Sequence, residues 1–327
     1  MRGKRIVFRD KGIVEIKSFD VPKPSKNEVL VETLYSLISP GTELAFLMGL
    51  PNTPREYPRY AGYSNIGRIV GVGSNVDDSI IGEIVASGTP HSTHNVVDIN
   101  KVYPIPESLT LTSATFFHLC AIALQGVRKC DIELGNSVVV LGLGVVGNLA
   151  LQLAKLSGGY PVIGVDLIDF RNIKAKENGA DFVVNPIKGD VKELINSFTD
   201  GKGADIVVEA TGSPDAIETA LDLASNNGRV VLLGSTRGIS TVNFYRLVHW
   251  KGLTIVGAHN TARPRYESFK NFWTIRDDIM LCIKLLKDRR INVENLISGT
   301  YPLDEARNVY RKLLENKDKY MTFIFRY

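Results

Sequence analysis

The sequence predicts an α/β protein of two units: a doubly wound parallel sheet in its second half and a mostly β unit, Greek-key or barrel-like, before it. Three observations carry this. From residue 137 onward, short apolar runs alternate with helical periodicities, the pattern of strands and helices that cover both faces of a parallel sheet. The first third keeps no long helical period and instead holds β-branched, Gly-punctuated runs. A chain of 327 residues also exceeds one small core and suits two domains of ordinary size.

Taken in order, Glu28-Val-Leu-Val-Glu-Thr-Leu is short, rich in β-branched residues and strand-like, and Ser39-Pro-Gly-Thr is a turn cluster. Pro51, Pro54 and Pro58 predict an irregular surface loop, and Ile66 to Val72 another strand pair. Thr112 to Lys129 has helical spacing. Ser137-Val-Val-Val-Leu is an apolar run of the kind a strand buried on both faces requires. A helix over 148–156, the strand Pro161-Val-Ile-Gly-Val-Asp, a helix near 170–178, a strand at Phe182-Val-Val and a helix near 190–198 follow. The alternation continues with Asp205-Ile-Val-Val-Glu, a helix near 214–225, Arg229-Val-Val-Leu-Leu and Leu253-Thr-Ile-Val. Residues 264–290 read as one long helix, Leu303 to Leu314 as another, and Tyr320 to Phe325 as a last strand.

The stretch Leu141-Gly142-Leu143-Gly144-Val145-Val146-Gly147 lies between a buried-type strand and a helix. By itself a Gly-x-Gly-x-x-Gly run is weak evidence; this position gives it meaning. Gly142 permits a tight turn, Gly144 lets backbone approach a pyrophosphate, and Gly147 lets the helix pack close to the strand. Phosphates then sit on the helix N-terminus at Val145 and Val146, where free N–H groups and the dipole favour anions. Asp166 ends the next strand, 19 residues after Gly147, where an acid accepts hydrogen bonds from adenosine ribose hydroxyls and repels a 2′-phosphate. The reading is therefore an NAD-binding protein, with Arg171 near the ribose or adenine.

Bulk composition excludes other classes. Lys and Arg number 39 against 35 Asp and Glu, a net charge of +4, and no basic stripe with interleaved aromatics points to nucleic acid. The basic cluster Lys287-Asp288-Arg289-Arg290 is mixed with acid and reads as a solvated helix end. No apolar window is long enough to span a membrane, and the N-terminus lacks the apolar core of a signal peptide. Cys120, Cys130 and Cys282 are odd in number and widely spaced, which argues for a reducing compartment and against a disulfide framework. A cytoplasmic protein is the expectation. Cys120 and Cys130 read as small packing residues.

With these motifs go Glu209-Ala-Thr-Gly, Val231-Leu-Leu-Gly-Ser, Gly62, Ile69-Val-Gly-Val-Gly and Ser39-Pro-Gly-Thr-Glu. Together, over nearly the whole chain, the sequence resembles the medium-chain dehydrogenase/reductase superfamily. That resemblance implies a GroES-like catalytic domain, residues 1–119 and 261–327, completed by the C-terminal segment. A Rossmann NAD-binding domain, 120–260, is inserted between. It further implies a site in the cleft, with Ala210, Thr211, Gly212, Gly234 and Ser235 on the nicotinamide side, a small-molecule substrate, and a homodimer or higher homo-oligomer.

Departures from the family pattern redirect the chemistry. Pro40 stands where zinc-dependent members carry a Cys ligand, Tyr63 and Ser64 replace the His and Glu of Gly-His-Glu, and His118 holds the third position. A catalytic zinc needs three or four N, S or O ligands, which this set does not supply, and three cysteines cannot build a four-cysteine structural site. No metal is expected. Without one, removal of the hydroxyl proton falls to a positioned acid/base. Tyr63 and His118 occupy former ligand positions, and Thr42 matches a hydroxyl that relays protons in zinc-dependent relatives. His91-x-x-His94 precedes a predicted strand, so its histidines read as solvent-facing or cleft-lining rather than a metal pair. Glu43, Arg237 and His259 are further candidates to meet a polar substrate. The functional reading is a zinc-independent NAD-dependent dehydrogenase or reductase acting on a hydroxyl/carbonyl pair. An NADPH-type enone or quinone reductase and a non-catalytic NAD(H)-binding redox sensor stand as alternatives. The Gly-rich turn and Asp166 weigh against the first; the loss of the usual ligands motivates the second.

Overall fold

The apolar runs after residue 136 become strands of a single sheet in the computed structural model, which describes residues 1–327. Its strands lie in the order Phe182–Val184, Val162–Val165, Val138–Leu141, Ala204–Glu209, Ala224–Leu232 and Thr254–Gly257. Every neighbouring pair is parallel. Val138, Val139, Val140 and Leu141 are all buried, which is why this strand shows no polar alternation: helices cover both faces. The helices are Val145–Leu156, Asp169–Glu177, Val191–Phe198 and Asp215–Leu223. Asp190 starts the third by accepting hydrogen bonds from the N–H groups of Lys192 and Glu193, two of the donors a helix leaves unpaired. Strand order reverses between Val138–Leu141 and Ala204–Glu209, so the loops leaving their carboxyl ends diverge and open a crevice there.

The chain folds as two units. One comprises Cys120–Asp278 with Arg290–Asn292, the other Met1–Leu119, Ile279–Arg289 and Val293–Tyr327. The return to the first unit thus falls at 279, not at the expected 261. Residues 261–278 are tied to the helical segment at 120–130 by buried polar contacts. Gln125 donates to the carbonyls of His259 and Ala262, Lys129 to that of Gly257, and Arg263 to that of Ala121. Asp278, fully buried, pairs with both Arg128 and Arg263. The helix expected over 264–290 begins only at Ile275 and ends at Lys287: Phe269 and Phe272 exchange backbone hydrogen bonds before it, and Thr274 Oγ1 accepts the N–H of Asp277 at its start. Pro264 cannot donate to a helical ladder, and the backbone before it is already engaged in tertiary hydrogen bonds.

In the other unit, Glu28–Leu37 is the hub. It pairs antiparallel with Asn65–Val72, His94–Asp98 and the C-terminal strand Thr322–Arg326. Ile84–Ser87, Val102–Pro104 and Ile297–Pro302 extend the sheet. A second sheet joins Ile13–Asp20, Arg2–Asp10 and Arg59–Tyr60. Val29, Val31 and Thr33 alternate inward with a period of two. Val29 and Val31 pack with Ile69, Val85 and Val97, while Ile6, Phe8, Ile38, Tyr310, Phe323 and Phe325 form the larger core. The Ser39-Pro-Gly-Thr stretch, expected to be a turn, instead opens the helix Pro40–Leu47. Proline suits the first helical position because its missing N–H has no intrahelical partner there, and the Glu43 carboxylate reaches back to the N–H of Ser39 at 2.7 Å. No helix is long and apolar enough to cross a membrane.

Candidate functional site

The Gly-rich turn follows the central strand Val138–Leu141 at the strand-order reversal. Gly142 adopts φ of 84°, the left-handed region where a side chain is strained, and a Cβ there would lie 2.8 Å from the backbone N of Thr211. In Gly147 a Cβ would meet the carbonyl oxygen of Gly142 at 1.8 Å, so helix and turn touch only because that residue is glycine. Gly144 is different. It sits at the N-cap of Val145–Leu156, and a Cβ there would have no heavy atom within 4 Å. No side chain caps this helix start. The N–H groups of its first turn, with the dipole behind them, therefore open onto unfilled space, which suits a pyrophosphate.

Asp166, directly after Val162–Val165, is nearly buried. Its Oδ2 accepts the N–H of Leu143, inside the Gly-rich turn, at 2.8 Å, and its Oδ1 accepts that of Ile168 at 2.9 Å. Arg171 Nη1 lies 3.5 Å from Oδ2. The acid is thus fixed by the very turn that forms the cradle, with lone pairs remaining on both oxygens for further donors. The chain's residues fit a dinucleotide on these grounds.

Two more loops meet at this end of the sheet. Thr211 N, Thr211 Oγ1 and Gly212 N all donate to Glu209 Oε1. A Cβ on Gly212 would lie 2.9 Å from the carbonyl oxygen of Ser235, and one on Gly234 would lie 2.7 Å from Gly212 N. Ala210, Thr211, Gly212, Gly234 and Ser235 are thereby brought together, backbone against backbone. Glu209 is not among the site residues expected from the sequence; its signal is an acid closing the apolar run Ile206-Val207-Val208 of the strand Ala204–Glu209. Burial raises its pKa above the ordinary glutamate value, against the opposing pull of the Thr211 and Gly212 donors.

The other unit brings Tyr63 and His118 together. Their rings meet edge to face at 5.1 Å, and the Tyr63 hydroxyl donates to Ser39 Oγ at 2.5 Å. Gly88 packs beside the imidazole, where a Cβ would stand 3.4 Å from His118 Cε1. Thr42 lies half-buried on the first turn of Pro40–Leu47. Ser64 is buried and donates to the carbonyl of Thr115 at 2.6 Å. Nowhere do three His, Cys, Asp or Glu side chains converge as a metal group. Pro40, Tyr63, Ser64 and His118, as they stand, do not fit a catalytic zinc, because proline offers no side-chain donor and both hydroxyls are engaged within the protein.

Several secondary candidates are placed differently from expectation. Glu43 does not meet solvent: it is 1% exposed, and His91, expected to face solvent or a cleft, is 0% exposed. Glu43 Oε2 accepts from the Tyr310 hydroxyl and contacts His91 Nε2 at 3.1 Å, while His91 Nδ1 contacts Ser36 Oγ at 2.7 Å, which in turn contacts the Tyr327 hydroxyl at 2.7 Å. No local pattern announces this network, because its members come from five separated segments. His94 turns instead to Thr93 Oγ1, and His259, exposed, to Thr261 Oγ1. Arg237 follows Ser235 in the same loop, its backbone N–H donating to the carbonyl of Gly212. All three cysteines are free and buried, and burial pushes the Cys130 thiol up to about 12, so it stays an unreactive packing group at neutral pH.

Known proteins of related sequence bear on this geometry. The family described as zinc-binding dehydrogenase matches residues 145–275. D-guloside 3-dehydrogenase of Escherichia coli is 32% identical over 254 residues, covering 76% of this chain and 72% of that protein. The chain belongs to the medium-chain dehydrogenase/reductase superfamily. Among its members, L-threonine 3-dehydrogenase of Pyrococcus horikoshii is 29% identical over a 345-residue alignment that covers 95% of each chain. Galactitol-1-phosphate dehydrogenase from Escherichia coli shares the fold across 99% of this chain and all of that one, with a TM-score of 0.86 at 20% identity. As a medium-chain dehydrogenase/reductase of the alcohol-dehydrogenase-like kind, the protein is an oxidoreductase, with the GroES-like and Rossmann folds of that superfamily. The segment matching the zinc-binding family lies wholly beyond Pro40, Tyr63, Ser64 and His118.

Proposed function

We propose that this protein transfers a hydride between NAD(H) and the hydroxyl/carbonyl pair of a small or medium organic substrate, without a catalytic zinc. The observation that carries the cofactor reading is the joint geometry of Gly144 and Asp166: open space over an uncapped helix start, and a carboxylate anchored to the same turn by Leu143 N–H. When bound, a nicotinamide dinucleotide supplies the hydride donor or acceptor. Gly142, Gly144 and Gly147, with the N–H groups of Val145 and Val146, hold the pyrophosphate. Asp166 accepts hydrogen bonds from the ribose hydroxyls. A 2′-phosphate there would face a buried carboxylate whose one nearby cation, Arg171, already lies against it, which supports NAD over NADP. Ala210, Thr211, Gly212, Gly234 and Ser235 serve the nicotinamide half.

Oxidation of a hydroxyl also requires a group that takes its proton. We assign this work to Tyr63, whose hydroxyl donates to Ser39, and to His118 beside it, with Thr42 on a helix that begins after Ser39; the ring contact of Tyr63 and His118 supports the pairing. The donor set at Pro40, Tyr63, Ser64 and His118 supports a zinc-independent route. Secondary alcohols, including those of sugars and hydroxy amino acids, are the first substrates to try, given the named relatives. The exposed edge strand Thr254–Gly257 supports a homodimer, and a light-scattering mass near one chain would overturn that part. Calorimetry with NADH and NADPH tests the cofactor. Tighter NADH binding is expected, and equal affinity would remove the specificity claim. Elemental analysis after purification without added metal tests the rest, and one tightly held zinc per chain would overturn it.

A further inference from the structure

The Glu209 carboxyl has no place in the hydride chemistry, and its burial costs free energy. It is fully buried, no hydrogen-bond donor reaches its Oε2, and no neighbouring charge offsets its own. The loss of solvation is opposed only by the hydroxyl of Thr211 and the backbone N–H groups of Thr211 and Gly212. An apolar residue would close this strand more favourably, as Val207 and Val208 fill it before. None of the side-chain hydrogen bonds of Glu209 ties the strand Ala204–Glu209 to its neighbours. All three run forward into one loop, Thr211–Gly212.

That loop is where the phosphate turn rests. Gly142 comes so close to Thr211 that a Cβ on it would stand 2.8 Å from both the backbone N and Cγ2 of Thr211. Glu209 Oε2 meets the third loop as well, since a Cβ on Gly234 would lie 2.8 Å from it. One carboxyl group thus fixes Thr211 and Gly212 through Oε1 and packs on Gly234 through Oε2, and Thr211 in turn supports Gly142. We propose that Glu209 is a positioning residue for dinucleotide binding: it holds the loops at 211–212 and 234–235 in the shape that receives the nicotinamide half, without touching the cofactor. This rests on the cofactor reading above.

The test uses the full-length protein, with NADH and 5′-AMP as separate probes. AMP engages the Asp166 end of the cradle and, through its phosphate, the Gly-rich turn, but not the loops at 211–212 and 234–235. In Glu209→Ala, NADH affinity is expected to fall tenfold or more while AMP affinity stays within twofold and the melting temperature shows a folded protein. Glu209→Gln keeps one oxygen for the three loop donors and should recover most of the NADH affinity. Thr211→Val removes the hydroxyl donor but keeps the backbone N–H, and should fall between the two. NADH binding unchanged in Glu209→Ala and Thr211→Val would overturn the proposal. So would an equal loss of NADH and AMP binding across these variants, which marks a merely structural role; should Glu209→Ala not fold, Glu209→Gln and Thr211→Val decide by the same criteria. A wild-type protein that binds neither probe would instead remove the cofactor reading, and this proposal with it.

Discussion

Glu43 offers the sharpest test of how the non-Rossmann unit is held together. Three donors converge on its carboxylate: Ser39 N at 2.7 Å, His91 Nε2 at 3.1 Å and the Tyr310 hydroxyl. In Glu43→Gln one oxygen becomes an amide nitrogen. The least costly placement sets that nitrogen toward Tyr310 and His91, where it donates to the Tyr310 oxygen and to His91 Nε2 in its other tautomer, leaving the buried Tyr310 hydroxyl proton without an acceptor, at about 1–3 kcal/mol. The bonds with Ser39 and His91 lose their charge-assisted character, roughly 1 kcal/mol each, and relief from burying a charge offsets part of the sum. The net expectation is a loss of about 3 kcal/mol, or about 6–12 °C in melting temperature for a unit of this size. Far-UV circular dichroism against urea measures it. Trp250 and Trp273 both lie in the other unit, so their fluorescence follows that unit separately. Tyr310→Phe removes one of the donors, and its cost should combine with that of Glu43→Gln non-additively, since both act on one network. A destabilisation below about 1 kcal/mol, or strict additivity of the two changes, would refute this account of the network.

Further outcomes follow from the cradle and the candidate acid/base pair. Gly144→Val places its branched side chain in open space, so the fold should survive with little change in melting temperature while NADH affinity falls at least tenfold; retained affinity would show that the space over the helix start is not the phosphate site. Tyr63→Phe and His118→Ala should each lower NAD-dependent turnover by about 10²–10⁴-fold if they move the proton, with NADH affinity unchanged; unimpaired turnover in both would end their assignment. Glu209 also carries a pH signature. Its pKa is raised in the folded protein by burial, so its contribution to stability is fully present below its unfolded pKa and is lost as pH rises through the folded one. Unfolding free energies of wild type minus Glu209→Gln should therefore decline as pH rises from the acid side across that interval, and a rising difference would contradict the assigned direction.

Much of the dinucleotide unit was legible from the chain alone, for a local reason. Each βα segment carries its own signals within about 30 residues: an apolar run, a glycine turn and an amphipathic helix. Roles for glycine at 142, 144 and 147 and the acid at 166 follow from local sequence, because turn, helix and next strand succeed one another within a single βα unit. Departures from the zinc pattern at Pro40, Tyr63 and Ser64 were equally local. What the tertiary structure decided is how distant segments meet. The helix expected over 264–290 lost its first half because that stretch is held otherwise: Phe269 and Phe272 exchange backbone hydrogen bonds, Asn271 donates to Asp131, and the Arg128 guanidinium lies over the Trp273 ring. Glu43, read as a group to meet a polar substrate, and His91, read as solvent-facing or cleft-lining, proved to be buried partners, since only folding brings residues 36, 43, 91, 310 and 327 together. Glu209 is the same lesson at the cradle. Its position on a strand and its bonds to Thr211 and Gly212 are local, whereas its approach to Gly234 depends on the parallel pairing of Ala204–Glu209 with Ala224–Leu232. Local chemistry wrote the cofactor turn into the sequence; the cost of burying polar groups, and the partners that offset it, were settled only by the packed fold.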